Sequence, residues 1–398
     1  MRVPADGIVA ERDSLRGQES YRRPLLLALG IPVAAGLIAR LGFEIHRLLF
    51  EPEGPIDLLI YHSLTRDWFE GLPIYADRIA AVHPPALFLL LWPIYGWLPA
   101  DATRWLYAVT VITVLAALAA ILLREARPAS GPGRVLLALL VVASYPTAIT
   151  IGIGQITLYV LLAAIAGMLV VLREPRGAAR DAAASALFLV ALIKPNLTLP
   201  FFWVIAFERG SMRPVVLALV AYFAATAVSI ALHGSGLDAL SELWAGWFRR
   251  GGDSFAHTGY GNIHVWLGEI GLRNWIFPAS GLVFAVHGAW SWRHRGADPW
   301  VLIGVAAIVG RVWAYHRVYD DLLLVFPLIA LYRLAQSDQA GSGAKALFAL
   351  GCVALAAPIS WLLQHASWAL VAVWLLQLAY LMKRASPSTE RAPALSAA

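Results

Sequence analysis

Apolar runs long enough, or nearly long enough, to cross a bilayer recur along the whole chain. They fall at about 24–43, 101–123, 134–150, 154–172, 214–232, 274–292, 299–314, 320–334, 345–363 and 367–382. A crossing helix needs about 20 predominantly apolar residues, and several of these runs are shorter. Two further stretches break the pattern. Residues 84–98 are apolar but interrupted by Pro84, Pro85 and Pro93. Residues 182–207 are too long for one span and too short for two, with Lys194-Pro195-Asn196 in the middle. We read the first as a partial, interfacial or re-entrant helix and the second as a hairpin of two short helices.

Basic residues decide the orientation. With this reading, the loops 1–23, 124–134, 173–181, 208–213, 293–298, 333–345 and 383–398 fall on one side and hold 20 of the 31 Lys and Arg. Such a bias marks the cytoplasmic face, so both termini are expected inside. If 84–98 spanned fully, the pattern would invert from there on. Ten spans and the hairpin make twelve helical segments, and the expected fold is an all-α polytopic membrane bundle of about 10–12 transmembrane helices. The expected organisation is a cytoplasmic tail over 1–23, one membrane-embedded domain over 24–384, and a disordered cytoplasmic tail over 385–398.

Composition agrees. The chain is 60% apolar and 14% charged, with mean hydropathy +0.68, against about 25% charged in soluble domains. The net charge of +6 resides in short inter-span loops, so it reads as topology and not as nucleic-acid binding. Cys352 is the single cysteine, which excludes a disulfide framework or a thiolate metal cluster. The run after the Arg-rich N-terminus has no evident cleavage site and reads as an uncleaved first span. Metal-ligand spacings and Gly-rich phosphate loops are absent from the sequence. No metal and no cofactor are expected.

The outer side carries two large loops with short interfacial helices. One is about 44–100. The other, about 233–273, contains Trp244, Trp247, Arg249, Arg250, Asp253, His257, Asn262, His264 and Trp266. Chemistry belongs on loops held by a rigid scaffold. In the first loop, Gly54-Pro55 starts a helix and Gly71 with Pro73 ends it, so 55–70 is one helix too short to span. Asp57 falls in its first turn, where the helix dipole favours a carboxylate, and Tyr61 is on the same face. Asp57 is either a functional carboxylate at the membrane edge or a helix-terminal charge.

Lys194 sits alone in an apolar hairpin. Such a lysine either snorkels to an interface or meets an anion such as a lipid phosphate. Arg311, His316, Arg317, Tyr319, Asp320 and Asp321 join two spans on the outer side. They suit a polar site or an ion-pair network equally. Gln155, in the Gly154-Gln155 turn, suits a sugar contact or backbone satisfaction. His83, before Pro84-Pro85, suits a polar ligand or a plain turn.

Taken in order, these motifs resemble glycosyltransferase family 87, the polyprenyl-phosphate-mannose-dependent α-mannosyltransferases, within the GT-C fold class. The resemblance rests on Asp57 to Tyr61 with Gly71 and Tyr75, His83-Pro84-Pro85, Gly154-Gln155, Lys194-Pro195, Gly261-Asn262, and His316 to Asp320. His83 departs from the family's Tyr-Pro-Pro, and no Ser follows Gly261-Asn262-Ile263. The resemblance implies a multi-pass protein of the cell membrane with its site on the outer face. It implies a polyprenyl-phosphate hexose donor, mannose by inheritance, a glycolipid or glycan acceptor, inversion at the anomeric carbon, and Asp57 as base. His316 would orient donor or base. Lys194 and Arg311 or Arg317 would hold the carrier phosphate. Tyr61, Tyr75, His83, Gln155, Asn262, His264, Tyr319 and Asp320 would contact substrate. The rivals are a lipid-linked-sugar flippase or transporter and a glycan polymerase or ligase. No inverted repeat of the transporter kind is evident.

Overall fold

The computed structural model describes residues 31–77, 81–207, 212–234, 236–246, 260–337, 341–357 and 367–385. The expected tail 1–23, all but residue 385 of the expected tail 385–398, and residues 247–259 of the second large loop lie outside them. The described residues form an all-α polytopic membrane protein without strands. Helix α1 covers 31–50 and α2 Ile56–Phe69, followed by α3 Ile74–Asp77, α4 Pro85–Tyr95, α5 Ala100–Ala126, α6 Gly131–Val142, α7 Tyr145–Gly152, α8 Thr157–Arg173 and α9 Ala178–Ala191. Next come α10 Pro195–Phe207, α11 Met212–His233, α12 over 238–246, and α13 Ile263–Glu269. The chain closes with α14 Ile276–Arg293, α15 Pro299–Val312, a 3-10 turn Val318–Leu324, α16 Val325–Ala335, α17 Gly341–Ala356 and α18 Ser367–Arg384.

Three helical stretches are long and apolar enough to cross a membrane by themselves: Ala100–Ala126, Gly131–Gly152 and Met212–His233. Their outward faces are apolar. Trp105, Val109 and Ile112 on α5 and Val216, Val220 and Phe223 on α11 are exposed, the side-chain chemistry of a lipid-facing surface. The expected boundaries shift where backbone chemistry intervenes. α1 runs on to residue 50, past the expected loop start at 44. That extension buries Glu44, which pairs with Arg40 and Arg47. The 134–150 run breaks at Ala143-Ser144, where Ser144 is extended and Pro146 falls in the first turn of α7, a position that needs no backbone N–H. The 320–334 run opens as the 3-10 turn, leaving α16 only 11 residues long. Residues 182–207 break, as expected, into two short helices at Lys194-Pro195, α9 ending at Ala191 and α10 starting at Pro195.

Polar contacts mark two ends of the bundle. At one end Glu125 is buried and paired with Arg173, and it accepts from Trp300 Nε1 at 3.0 Å. Arg333 donates to the Glu125 carbonyl at 2.7 Å and pairs with Asp298 at 3.5 Å. Gln336 donates to the Ala126 carbonyl at 2.9 Å. The loops following α5, α8, α14 and α16 therefore meet, and these are loops that the charge bias groups on one side. At the other end, Tyr107, Gln155, Thr157, Lys194 and Asp320 converge. From Tyr107 to Glu125 a helix rises about 27 Å, close to the ~30 Å thickness of bilayer hydrocarbon.

Candidate active site

The start of α2 is built to hold Asp57. The first N–H groups of a helix lack internal partners. Here those of Asp57 and Leu58 both donate to the carbonyl of Ile153, at 2.9 and 3.2 Å. The acceptor comes from the turn between α7 and α8, so the Gly154-Gln155 turn caps the helix that carries Asp57. Gly154 has φ +75, and a Cβ there would collide with Leu58. Glycine is required on both counts.

Gln155 ties the site together. Its Oε1 accepts from the Tyr61 hydroxyl and from the backbone N–H of Ile156, each at 3.1 Å. Those donors fix the amide orientation, because only the oxygen can accept. Nε2 is thereby aimed at Asp57 and donates to Oδ2 at 2.8 Å. The Gln155 carbonyl is held by the Tyr107 hydroxyl at 2.8 Å. Asp57 is half-buried, and burial raises its carboxyl above the ordinary carboxylate range. The Gln155 bond opposes that rise first, then the positive charges of Lys194 and Arg317. Burial, and next the charge of Asp57, drive the Tyr61 hydroxyl well above its usual value. It stays a phenol and a donor.

Lys194 leads the second half of the site. It is 5% exposed and its Nζ donates to Asp320 Oδ1 at 2.5 Å and to Thr157 Oγ1 at 3.0 Å. The Tyr319 ring lies 4.7 Å away. Thr157 Oγ1 donates to Asp320 Oδ1 at 3.2 Å, and Asp320 Oδ2 accepts the Arg317 N–H at 3.2 Å. The acid is thus satisfied on both oxygens. An ammonium has three donors, and two of them are engaged here. Arg317 itself is exposed at the rim, its guanidinium bonded to the Tyr315 hydroxyl.

His316 is wholly buried in the turn between α15 and the 3-10 segment. Its Nδ1 lies 2.8 Å from the Ala314 carbonyl, and a carbonyl only accepts, so Nδ1 carries the proton. Nε2 therefore presents a lone pair, with no partner among the described residues. Desolvation lowers the ring to about 3, so it is neutral at pH 7. His83 is half-buried, 5.3 Å from the Tyr61 ring, and desolvation followed by the Lys194 charge lowers it to about 4.

Four expected site residues take other tasks. Arg311, expected as a phosphate ligand, is 0% exposed and paired with Asp321. It donates to the Tyr260 carbonyl at 2.9 Å, and its guanidinium lies 4.6 and 4.8 Å from the rings of Tyr260 and Trp374. Enclosed in this way, it fixes the Tyr260 backbone, while its Nη1 is buried with no partner among the described residues. Asn262, expected at substrate, caps α13, its Oδ1 accepting from the N–H groups of His264 and Val265 at 3.1 Å. His264 is buried 2.8 Å from Ser280 Oγ. Tyr75 donates to the His83 carbonyl at 2.7 Å and shapes that turn. Asp57, Tyr61, His83, Gln155, Lys194, Tyr319 and Asp320 are linked by contacts or near charges, with Arg317 on the rim.

Thr157, Tyr107 and Tyr260 complete the site without having been anticipated. Thr157 carried a usable signal, a hydroxyl two residues after Gln155 at the mouth of an apolar helix. Among the described residues no group of three or more His, Cys, Asp or Glu is arranged to hold a metal.

The sequence profile of glycosyltransferase family 87 matches residues 81–337. The chain belongs to glycosyltransferase family 87. It is accordingly a membrane glycosyltransferase. The family-87 match includes His83, Gln155, Lys194, His316 and Asp320 and begins after Asp57. The fold itself joins Asp57 to the matched part through Gln155 and Ile153. No curated protein and no solved structure matches the chain.

Proposed function

We propose that this family-87 enzyme moves a hexose, mannose by resemblance, from a polyprenyl-phosphate carrier to a hydroxyl of a glycolipid or glycan at the outer face of the cell membrane. The observation that carries the reading is the half-buried Asp57 carboxylate, held by Gln155 Nε2 at 2.8 Å with the charges of Lys194 and Arg317 acting on it.

Asp57 takes the proton of the acceptor hydroxyl as its oxygen bonds to the anomeric carbon. The carbon–oxygen bond to the carrier phosphate breaks on the opposite side, so the configuration inverts. The phosphate leaves as an anion and needs no general acid, whereas the attacking hydroxyl does need a base within hydrogen-bond reach. Lys194, through its remaining donor, and Arg317 at the rim meet the charge that builds on the phosphate. His316, whose buried Nε2 lone pair has no partner among the described residues, orients the donor or the base. Gln155 keeps the Asp57 carboxylate turned toward the acceptor. The charge bias of the loops supports cytoplasmic termini and an outward-facing site.

Purified Asp57→Asn protein with polyprenyl-phosphate mannose tests the reading. Loss of the base is expected to slow turnover roughly 10²- to 10⁴-fold. Turnover near that of the unmodified protein refutes the assignment.

A further inference from the structure

Beside the charged cluster, and sharing Arg317 and Tyr319 with it, lies a cavity of about 480 Å³. Ligand pockets commonly span about 300–1,000 Å³. Trp266 and Trp368 line it, with ring centroids 6.5 Å apart and planes only 13° from parallel. Glu269 on α13 adds a carboxylate to the same wall. Trp368 and Glu269 are exposed.

These side chains select a ligand chemistry. Flat indole faces stack on the apolar C–H face of a sugar ring, and the partial negative charge of those faces favours such positive edges. A carboxylate accepts from vicinal hydroxyls as charge-assisted hydrogen bonds and repels a phosphate. The cavity is lined by Arg317 and Tyr319, the residues whose backbone N–H and ring also meet Asp320 and Lys194, so a ring held there borders the charged cluster. We infer that this cavity is the acceptor subsite and takes a neutral saccharide, Trp266 and Trp368 stacking on the ring and Glu269 accepting from its hydroxyls. The inference rests on the transferase reading for the word acceptor, while the saccharide site itself is testable without turnover.

The full-length protein in lipid nanodiscs is titrated with methyl α-mannoside, methyl α-glucoside and methyl α-galactoside, and binding is read by saturation-transfer NMR. Trp368→Ala and Glu269→Gln are each expected to weaken the bound glycoside about tenfold, the worth of one stacking or charge-assisted contact. Trp368→Phe is expected to retain most of the binding. Polyprenyl phosphate without a sugar is expected not to displace the glycoside. In transfer assays the same two variants are expected to raise KM for the acceptor glycoside, with KM for the polyprenyl-phosphate donor within twofold of the parent. Absence of binding by the parent protein, unchanged binding by both variants, displacement by polyprenyl phosphate, or a rise in donor KM alone each overturns the assignment. If the parent binds glycoside through Trp368 yet transfers from no polyprenyl-phosphate hexose, the transferase mechanism falls and the saccharide site stands.

Discussion

Removing Lys194 by itself is expected to cost more stability than removing it together with Asp320, with the same expectation for activity. The two side chains are 5% and 2% exposed and lie 2.5 Å apart. Lys194→Met leaves the Asp320 carboxylate with only Thr157 and the Arg317 N–H as donors. Breaking a buried pair on one side costs about 3–5 kcal/mol, because an uncompensated charge stays behind. Lys194→Met with Asp320→Leu removes the stranded charge. What remains is the loss of partners for Thr157 and the Arg317 N–H, about 1 kcal/mol each, so the double variant costs roughly 2 kcal/mol. Heating the purified proteins and following the surviving folded peak by fluorescence-detected size exclusion ranks the three. The single variant is expected to unfold well below the double, and both are expected to be inactive with polyprenyl-phosphate mannose. Equal stability of single and double refutes the buried-pair argument. Recovery of turnover in the double refutes a role for Lys194 in holding phosphate.

Burial raises the Asp57 carboxyl above its ordinary value, so the folded protein binds that proton more tightly than the unfolded chain does. The ionised form therefore opposes folding at neutral pH, and this opposition fades as pH falls through the raised value. Asp57→Asn is expected to keep or increase thermal stability while slowing transfer roughly 10²- to 10⁴-fold, measured by the same heating series beside the activity assay. Gln155→Leu removes a donor to the carboxylate, and the acid limb of the pH–rate profile is expected to move to higher pH. Gly154→Ala is expected to lower stability by about 1–3 kcal/mol through its left-handed backbone, and to reduce turnover as α2 is pushed from the Ile153 carbonyl. Glu125→Gln, at the far end of the bundle, is expected to lower stability by about 1–3 kcal/mol and leave both substrate KM values unchanged.

Local chemistry made some of this readable in advance. Pro55 and Gly71 bracket α2 within a residue of the expected 55–70, because a proline and a left-handed glycine act on their immediate neighbours. Lys194 stood out because a lone charge in an apolar hairpin is costly wherever it points. Its partner was not readable. Asp320 lies 126 positions away in sequence, and no periodic pattern links residues across that interval. Thr157 carried a positional signal beside Gln155, but its partner Lys194 lies 37 positions away and was no more readable. Asn262 and His264 drew attention as polar residues in an outer loop. Asn before Ile263 is also a strong helix cap, and the structure shows it in that use. Arg311 shared an eleven-residue polar segment with His316 and Asp320, but rotation around α15 turns it toward Tyr260 and Trp374. Sequence proximity in a helix does not imply a common direction.

The mutual neutralisation of Lys194 with Asp320 and of Arg311 with Asp321 bears on how the protein is made and kept. Each cation inside the bundle brings its own counter-ion, so the chain can leave the insertion machinery and reside in lipid for long periods without waiting for a lipid-linked sugar to cancel its interior charge.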